Sequence, residues 1–215
     1  METLRIAVFI SGGGTNLQSL IDHIEKSKIN GKIALVISSR ENAYGLIRAK
    51  AHNIEGMIIG KTNYPNMDER ENRMIEVLED KEIDLIVLAG YLSILGKRVV
   101  QKYKNRIINV HPALIPSFCG KGFHGEKVHQ AVLDYGVKIT GATVHFVDEG
   151  TDTGPIILQG VVEVHEEDSV EILGKKVLAV EHELLPKAVT LFAQGRLKVE
   201  GRKVRIIDSQ RGYSF

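Results

Sequence analysis

Short apolar runs bounded by turn residues alternate with longer amphipathic stretches through the first two-thirds of the chain. The runs Leu4–Ile10, 32–38, 56–59, 83–89 and 106–110 are nearly continuous in Ile, Val and Leu, which suits strands covered on both faces. Between the first two, Leu17, Leu20, Ile21 and Ile24 fall at i, i+3, i+4 and i+7, lining one side of an α-helix. Weaker versions of that spacing recur over 43–52, 67–80 and 94–103. Strand and helix in alternation predict an α/β fold, an open and mostly parallel twisted sheet with helices on both faces.

Beyond residue 137 the pattern changes to two strands, 138–148 and 155–165, and then one long helix over 169–193. Pro186 should kink that helix, because a proline ring clashes with the carbonyl four residues back, here that of His182. The segment 197–208, with Gly201 at its middle, reads as an exposed hairpin. No polar linker divides the 215 residues, so a single domain is expected.

Composition removes several function classes. Lys plus Arg number 28 against 27 Asp plus Glu, a formal charge of +1, so there is no bulk attraction to nucleic acid or an anionic membrane. Any anionic ligand must be held locally. The lone cysteine, Cys119, excludes an internal disulfide framework and a multi-Cys zinc site, and fits a reducing compartment. The first residues show no signal-peptide pattern, and no apolar stretch approaches the ~20 residues of a bilayer span. A cytoplasmic location is expected. Metal binding has little support: His124 and His129 are five apart, off one helical face, and no His-Glu-x-x-His is present.

Three features could carry chemistry. Ser11-Gly12-Gly13-Gly14-Thr15-Asn16 follows the first strand and opens its helix, where glycines allow close backbone approach and a helix N-terminus offers N–H groups to a phosphate. Leu17 stands where a dinucleotide fingerprint needs glycine, and no Gly-Lys-Ser/Thr follows, so NAD and ATP are both demoted. The competing structural use is a helix cap at Thr15, completed by Gln18 as a capping box. At the end of the fifth strand, Asn109 and His111 are two apart and project to one side, at the carboxyl strand edge where such sheets place their sites. An amide and an imidazole facing one centre could stabilise an oxyanion and move a proton. A nearby carboxylate would favour the protonated imidazole; Asp148 and Asp152 both lie in the following turn, and spacing does not choose between them. His145, on one strand face with Thr143 and Val147, is a further candidate member or only a hydrogen-bonded core histidine. Finally, Glu181 continues the stripe Val170, Leu173, Val177, Leu184 and Ala188 of the long helix. It should face inward, as an internal ion pair or a ligand contact.

Read together, the glycine loop through Gln18, Leu88-Ala89-Gly90-Tyr91, Asn109 through Pro116, Val144 through Val147 and Asp152 through Gln159 closely resemble the phosphoribosylglycinamide formyltransferases of the folate-dependent formyltransferase family. The match runs from about residue 4 to about residue 200, and it implies a Rossmann-like sheet with a phosphate-binding half over 1–105, a catalytic and folate-binding half over 106–200 and a tail over 201–215. The implied reaction is formyl transfer from 10-formyltetrahydrofolate, as cosubstrate, to the amine of glycinamide ribonucleotide in de novo purine synthesis. No metal, nucleic acid or membrane takes part, and the chain would be a monomer or weak homodimer.

The resemblance also assigns residues. Asn109 and protonated His111 would stabilise the oxyanion, and it selects Asp152 as the carboxylate that raises the histidine pKa and shuttles the proton. Gly14, Thr15 and Asn16 match the ribonucleotide phosphate contact, and Glu181 a ribose contact. Leu92, Ser93, Ile94 and Leu95 match the folate pocket, with Asn109 beside it, and the Ile115-Pro116 bond would be cis. Met67 and Ser93 stand where some members carry arginines. The segment 117–127, with Gly120, Gly122, Gly125, Lys121 and His124, is expected to be a mobile lid. Appended domains of the tRNA formyltransferases and deformylases are not expected in a chain of this length. A non-enzymatic phosphosugar or folate binder would need the glycine loop but not Asn109, His111 and Asp152.

Overall fold

The computed structural model describes residues 2–208. Its sheet has nine strands in the order β3-β2-β1-β4-β5-β6-β7-β9-β8. Strands β1 (Leu4–Ile10), β2 (Gly31–Ser38), β3 (Gly56–Ile58), β4 (Leu85–Leu88) and β5 (Ile107–His111) are mutually parallel. Successive side chains of a strand point to opposite faces, and β1, covered on both, is apolar and buried from Ile6 to Ile10. Ile6, Val8 and Ile10 pack against α1 (Thr15–Glu25), α2 (Tyr44–Ala51) and α6 (Val170–Ala193). Ala7 and Phe9 meet α3 (Met67–Asp80) and α4 (Lys97–Lys102) on the other face.

The strand order reverses between β1 and β4. Such a reversal opens a crevice at the carboxyl strand ends, where open α/β sheets bind ligands. Past β5 the sheet turns antiparallel. β6 (Ile139–Phe146) pairs antiparallel with β5, setting Asn109 opposite His145 and His111 opposite Thr143. β7 (Ile156–Glu163) returns beside β6, and α6 covers both strands together with α5 (Glu126–Tyr135).

Several expectations are refined. α5 was not foreseen, and it begins at Glu126, inside the segment read as a loop. The 94–103 pattern yields a helix only over Lys97–Lys102, whose N-terminal amides at Arg98 and Val99 are capped by the Glu71 carboxylate. The 197–208 hairpin forms as β8 (Leu197–Glu200) and β9 (Lys203–Ile206), joining the sheet through β7. Residues 209–215 of the expected tail lie outside the described residues.

α6 runs unbroken through Pro186. The proline leaves the His182 carbonyl without its helical donor. Ser19 of α1 supplies one, its hydroxyl donating to that carbonyl at 3.0 Å. Among the described residues no helix is long and apolar enough to cross a membrane.

Candidate active site

The alternative use of the glycine loop, a Thr15 cap on α1, does not form. Gly14, with φ 70°, takes the cap position and no side chain bonds the helix N-terminus, while the Gln18 amide turns instead to Asp22 and His52. The capping-box alternative therefore falls, because a left-handed glycine occupies the slot Thr15 would have filled. Close approach explains the glycine itself. A Cβ on Gly14 would lie 2.6 Å from the Gly45 Cα, whereas Gly12 and Gly13 face open space. The loop is also fixed to the neighbouring crossover, since the Leu92 N–H donates to Ser11 Oγ at 2.8 Å.

Asn16 points back from the loop and donates through Nδ2 to Glu181 Oε2 at 2.7 Å. Glu181 is thus turned inward, as its place on the helix stripe implies, but its partner is an amide rather than a cation. Burial raises the Glu181 pKa, and the Asn16 hydrogen bond works in the opposite direction. The Asn16 Oδ1 is buried with no partner, an acceptor held ready beside the carboxyl group.

At the end of β5, a hydrogen-bond chain fixes proton positions. His145 Nδ1 faces the Phe146 carbonyl at 2.8 Å, and a carbonyl only accepts, so Nδ1 carries the proton. Nε2 is then a lone pair that accepts from Asn109 Nδ2 at 3.1 Å. Burial pushes the His145 pKa down, which keeps the ring neutral and that tautomer in place. The 3.8 Å separation of His145 Nε2 from Asp152 Oδ1 is consequently a contact and not an ion pair. One amide proton of Asn109 is engaged, and the other has no partner among the described residues. His145, which spacing alone leaves ambiguous, holds the Asn109 amide.

His111 has acceptors on both sides. Nε2 donates to the Phe118 carbonyl at 2.9 Å, and Nδ1 lies 3.6 Å from Asp152 Oδ2, an ion-pair separation beyond hydrogen-bond length. Phe118 presents its carbonyl from a left-handed backbone, φ 48°. The Asp152 carboxylate also accepts from the Gly120 N–H at 2.9 Å. Asp148 is used otherwise, closing a turn on the Gly150 N–H and the Thr153 hydroxyl. Of the two aspartates, only Asp152 meets the imidazoles.

Asn109, His111, His145 and Asp152 line a cavity of about 390 Å³, whose walls also include Leu92, Ser93, Ile94 and Leu95. Lys121, Gly122 and His124 close another side. The 117–125 segment is tied down by the Asp152 and His111 contacts and by edge-on packing of Phe118 against Phe123 and Tyr135. The Ile115-Pro116 bond is cis. Met67 heads α3, where the buried guanidinium of Arg70 touches its sulfur. Thr15 starts α1 with its side chain uninvolved in a cap. Two residues that sequence reasoning passed over support the elements that carry the site: Arg48 Nε donates to the Gly13 carbonyl at 2.9 Å, and the Ser19 hydroxyl ties α1 to α6 at the His182 carbonyl. Neither belongs to a recognisable motif, and only the packing of α1 against α6 and α2 reveals them.

Comparison with known proteins gives a consistent picture. The model of the formyl transferase family matches residues 4–189. The phosphoribosylglycinamide formyltransferase of Haemophilus influenzae is 38% identical over 196 residues, covering 91% of this chain and 90% of that protein. A trifunctional purine biosynthetic protein adenosine-3 of Bos taurus is 40% identical over 195 residues, 91% of this chain but 19% of its own length. The crystal structure of glycinamide ribonucleotide transformylase 1 from Symbiobacterium toebii superposes with a TM-score of 0.91 at 43% identity, covering 96% and 95% of the two chains.

Proposed function

The chain belongs to the formyl transferase family, and from that premise we propose that Asn109, His111 and Asp152 carry out its reaction as a phosphoribosylglycinamide formyltransferase. It moves a formyl group from 10-formyltetrahydrofolate to the amine of glycinamide ribonucleotide, a step of purine biosynthesis. The observation that carries the reading is the convergence of an oriented amide, an imidazole and a carboxylate on the wall of one cavity.

The amine attacks the formyl carbon, and the carbonyl electrons move onto oxygen. The free Asn109 N–H, aimed by neutral His145, and the His111 ring N–H stabilise that oxyanion. Asp152 balances the imidazolium and helps pass the proton from the attacking amine to the folate nitrogen that leaves. In the described arrangement the Phe118 carbonyl holds the His111 Nε2 proton. Releasing it to substrate requires the 118–125 segment to shift, which gives the lid a chemical purpose. The pterin lies along Leu92–Leu95, the ribonucleotide phosphate sits on Gly14, Thr15 and Asn16, and Glu181 takes the ribose hydroxyls. Substrates are small molecules; no nucleic acid or membrane is engaged, the reaction needs no metal, and the protein works in the cytoplasm as a monomer or weak homodimer.

An absorbance assay of donor turnover, with and without glycinamide ribonucleotide, tests the reading. Turnover is expected only with both substrates. Equal turnover on the donor alone would identify a hydrolase, and none in either case a binding protein.

A further inference from the structure

The glycine loop is held from behind by α2. The Gly45 N–H donates to the Gly12 carbonyl at 3.0 Å, and Arg48 Nε donates to the next carbonyl, that of Gly13, at 2.9 Å. Both peptides are trans, the only cis bond among the described residues being Ile115-Pro116. In a trans peptide the C=O and N–H point in opposite directions. Pinning the Gly12 and Gly13 carbonyls to α2 therefore aims the Gly13 and Gly14 N–H groups away from it. Neither N–H has a partner among the described residues, and the space around Gly12 and Gly13 is open. Consecutive N–H groups aimed outward at a helix N-terminus form an anion-binding concavity.

Arg48 is equipped to hold this geometry. Its Nη1 donates to Gln18 Oε1 at 3.2 Å, and its guanidinium carbon lies 5.1 Å from the centre of the Tyr44 ring. Its contacts are a carbonyl, an amide and an aromatic face, none of which cancels its charge. The close fit of α2 against the loop demands a small residue at position 45, since a Cβ there would fall 2.4 Å from Ile10 Cδ1.

We propose that Arg48 is a positioning residue for the ribonucleotide phosphate: its fork locks the Gly13 peptide so that the loop amides face the anion, and its charge draws the dianion in. This rests on reading the glycine loop as the phosphate seat. The test is steady-state kinetics on R48M and R48K, with inorganic phosphate as a competitor of the ribonucleotide. Arg48 is half-buried on a helix surface, so both variants retain the cavity, and an unchanged KM for the formyl donor verifies it. In R48M, the ribonucleotide KM and the phosphate inhibition constant should rise together about tenfold, with kcat within about twofold, as for loss of one charge-assisted contact. R48K should rescue only in part, because an ammonium keeps the charge but cannot reproduce the fork. Unchanged constants in R48M, or full rescue by lysine, overturn the positioning role while leaving the phosphate seat intact. Failure of inorganic phosphate to compete in the wild type would instead remove the seat, and the proposal with it.

Discussion

Glu181→Gln separates what the buried carboxyl group costs the fold from what the proposed ribose contact gives the reaction. An ionised carboxylate inside a protein bears a desolvation penalty of several kcal/mol. Here it regains one hydrogen bond from Asn16, worth about 1.5–3 kcal/mol for a charged acceptor. Glutamine keeps the shape and an acceptor oxygen. Its amide costs roughly 1–3 kcal/mol to bury and regains about 0.5–1.5 kcal/mol from the same bond. The exchange should stabilise the unliganded protein at neutral pH by about 1–2 kcal/mol, or roughly 2–8 °C in Tm for a chain of this size. The sign with pH follows from the raised pKa. A carboxyl group whose folded pKa lies above its unfolded value of 4.5 destabilises the fold increasingly as pH climbs from that value through the folded pKa. The advantage of the variant should thus be absent below about pH 4.5 and full once the Glu181 carboxyl is ionised in the folded and unfolded states alike. Differential scanning calorimetry across pH reads this directly. The same variant should raise the ribonucleotide KM about tenfold or more, because a neutral amide is a weaker acceptor for hydroxyls. A lower Tm for the variant at neutral pH, or a difference that does not vary with pH, would refute the reasoning.

Asp152→Asn should lower kcat by about 10²–10⁴ while both KM values hold, as expected for a proton-transfer partner; initial-rate measurements showing near wild-type kcat would remove Asp152 from the mechanism. Ser19→Ala should cost about 1–3 kcal/mol by orphaning the His182 carbonyl. Pro186→Ala restores a helical donor to that carbonyl, so urea unfolding of the double variant should show the Ser19 effect largely abolished. Additive losses would mean that Ser19 stabilises by some other contact.

Much of the fold was legible because its strands are buried on both faces and announce themselves as apolar runs. Boundaries moved where tertiary contacts decide them: α4 starts at Lys97 because Glu71, on another helix, caps its amides. α5 escaped notice although Val128 and Val132 are four apart and both fully buried, since its start is a glycine-rich stretch without a capping side chain. The inward aim of Glu181 could be read from helical spacing; its partner Asn16, 165 residues away, could not. The two aspartates of the 148–155 turn look alike in sequence because both side chains serve acceptors' roles. Only Asp152, at φ 57°, is turned toward the histidines, and backbone handedness at a non-glycine residue leaves no compositional trace.

The placement of β5 between a parallel neighbour and an antiparallel one has a kinetic consequence. Asn109 and His111 acquire their environment only when β6 arrives with His145 and the turn carrying Asp152, and Asn16 meets Glu181 only when α6 closes over α1. Contacts so distant along the chain form late, because loop closure precedes any gain from them. A partly folded chain can hold most of its parallel strands and still be inert. Enzymatic activity, unlike helix or strand content, therefore marks the moment at which the last third of the polypeptide docks.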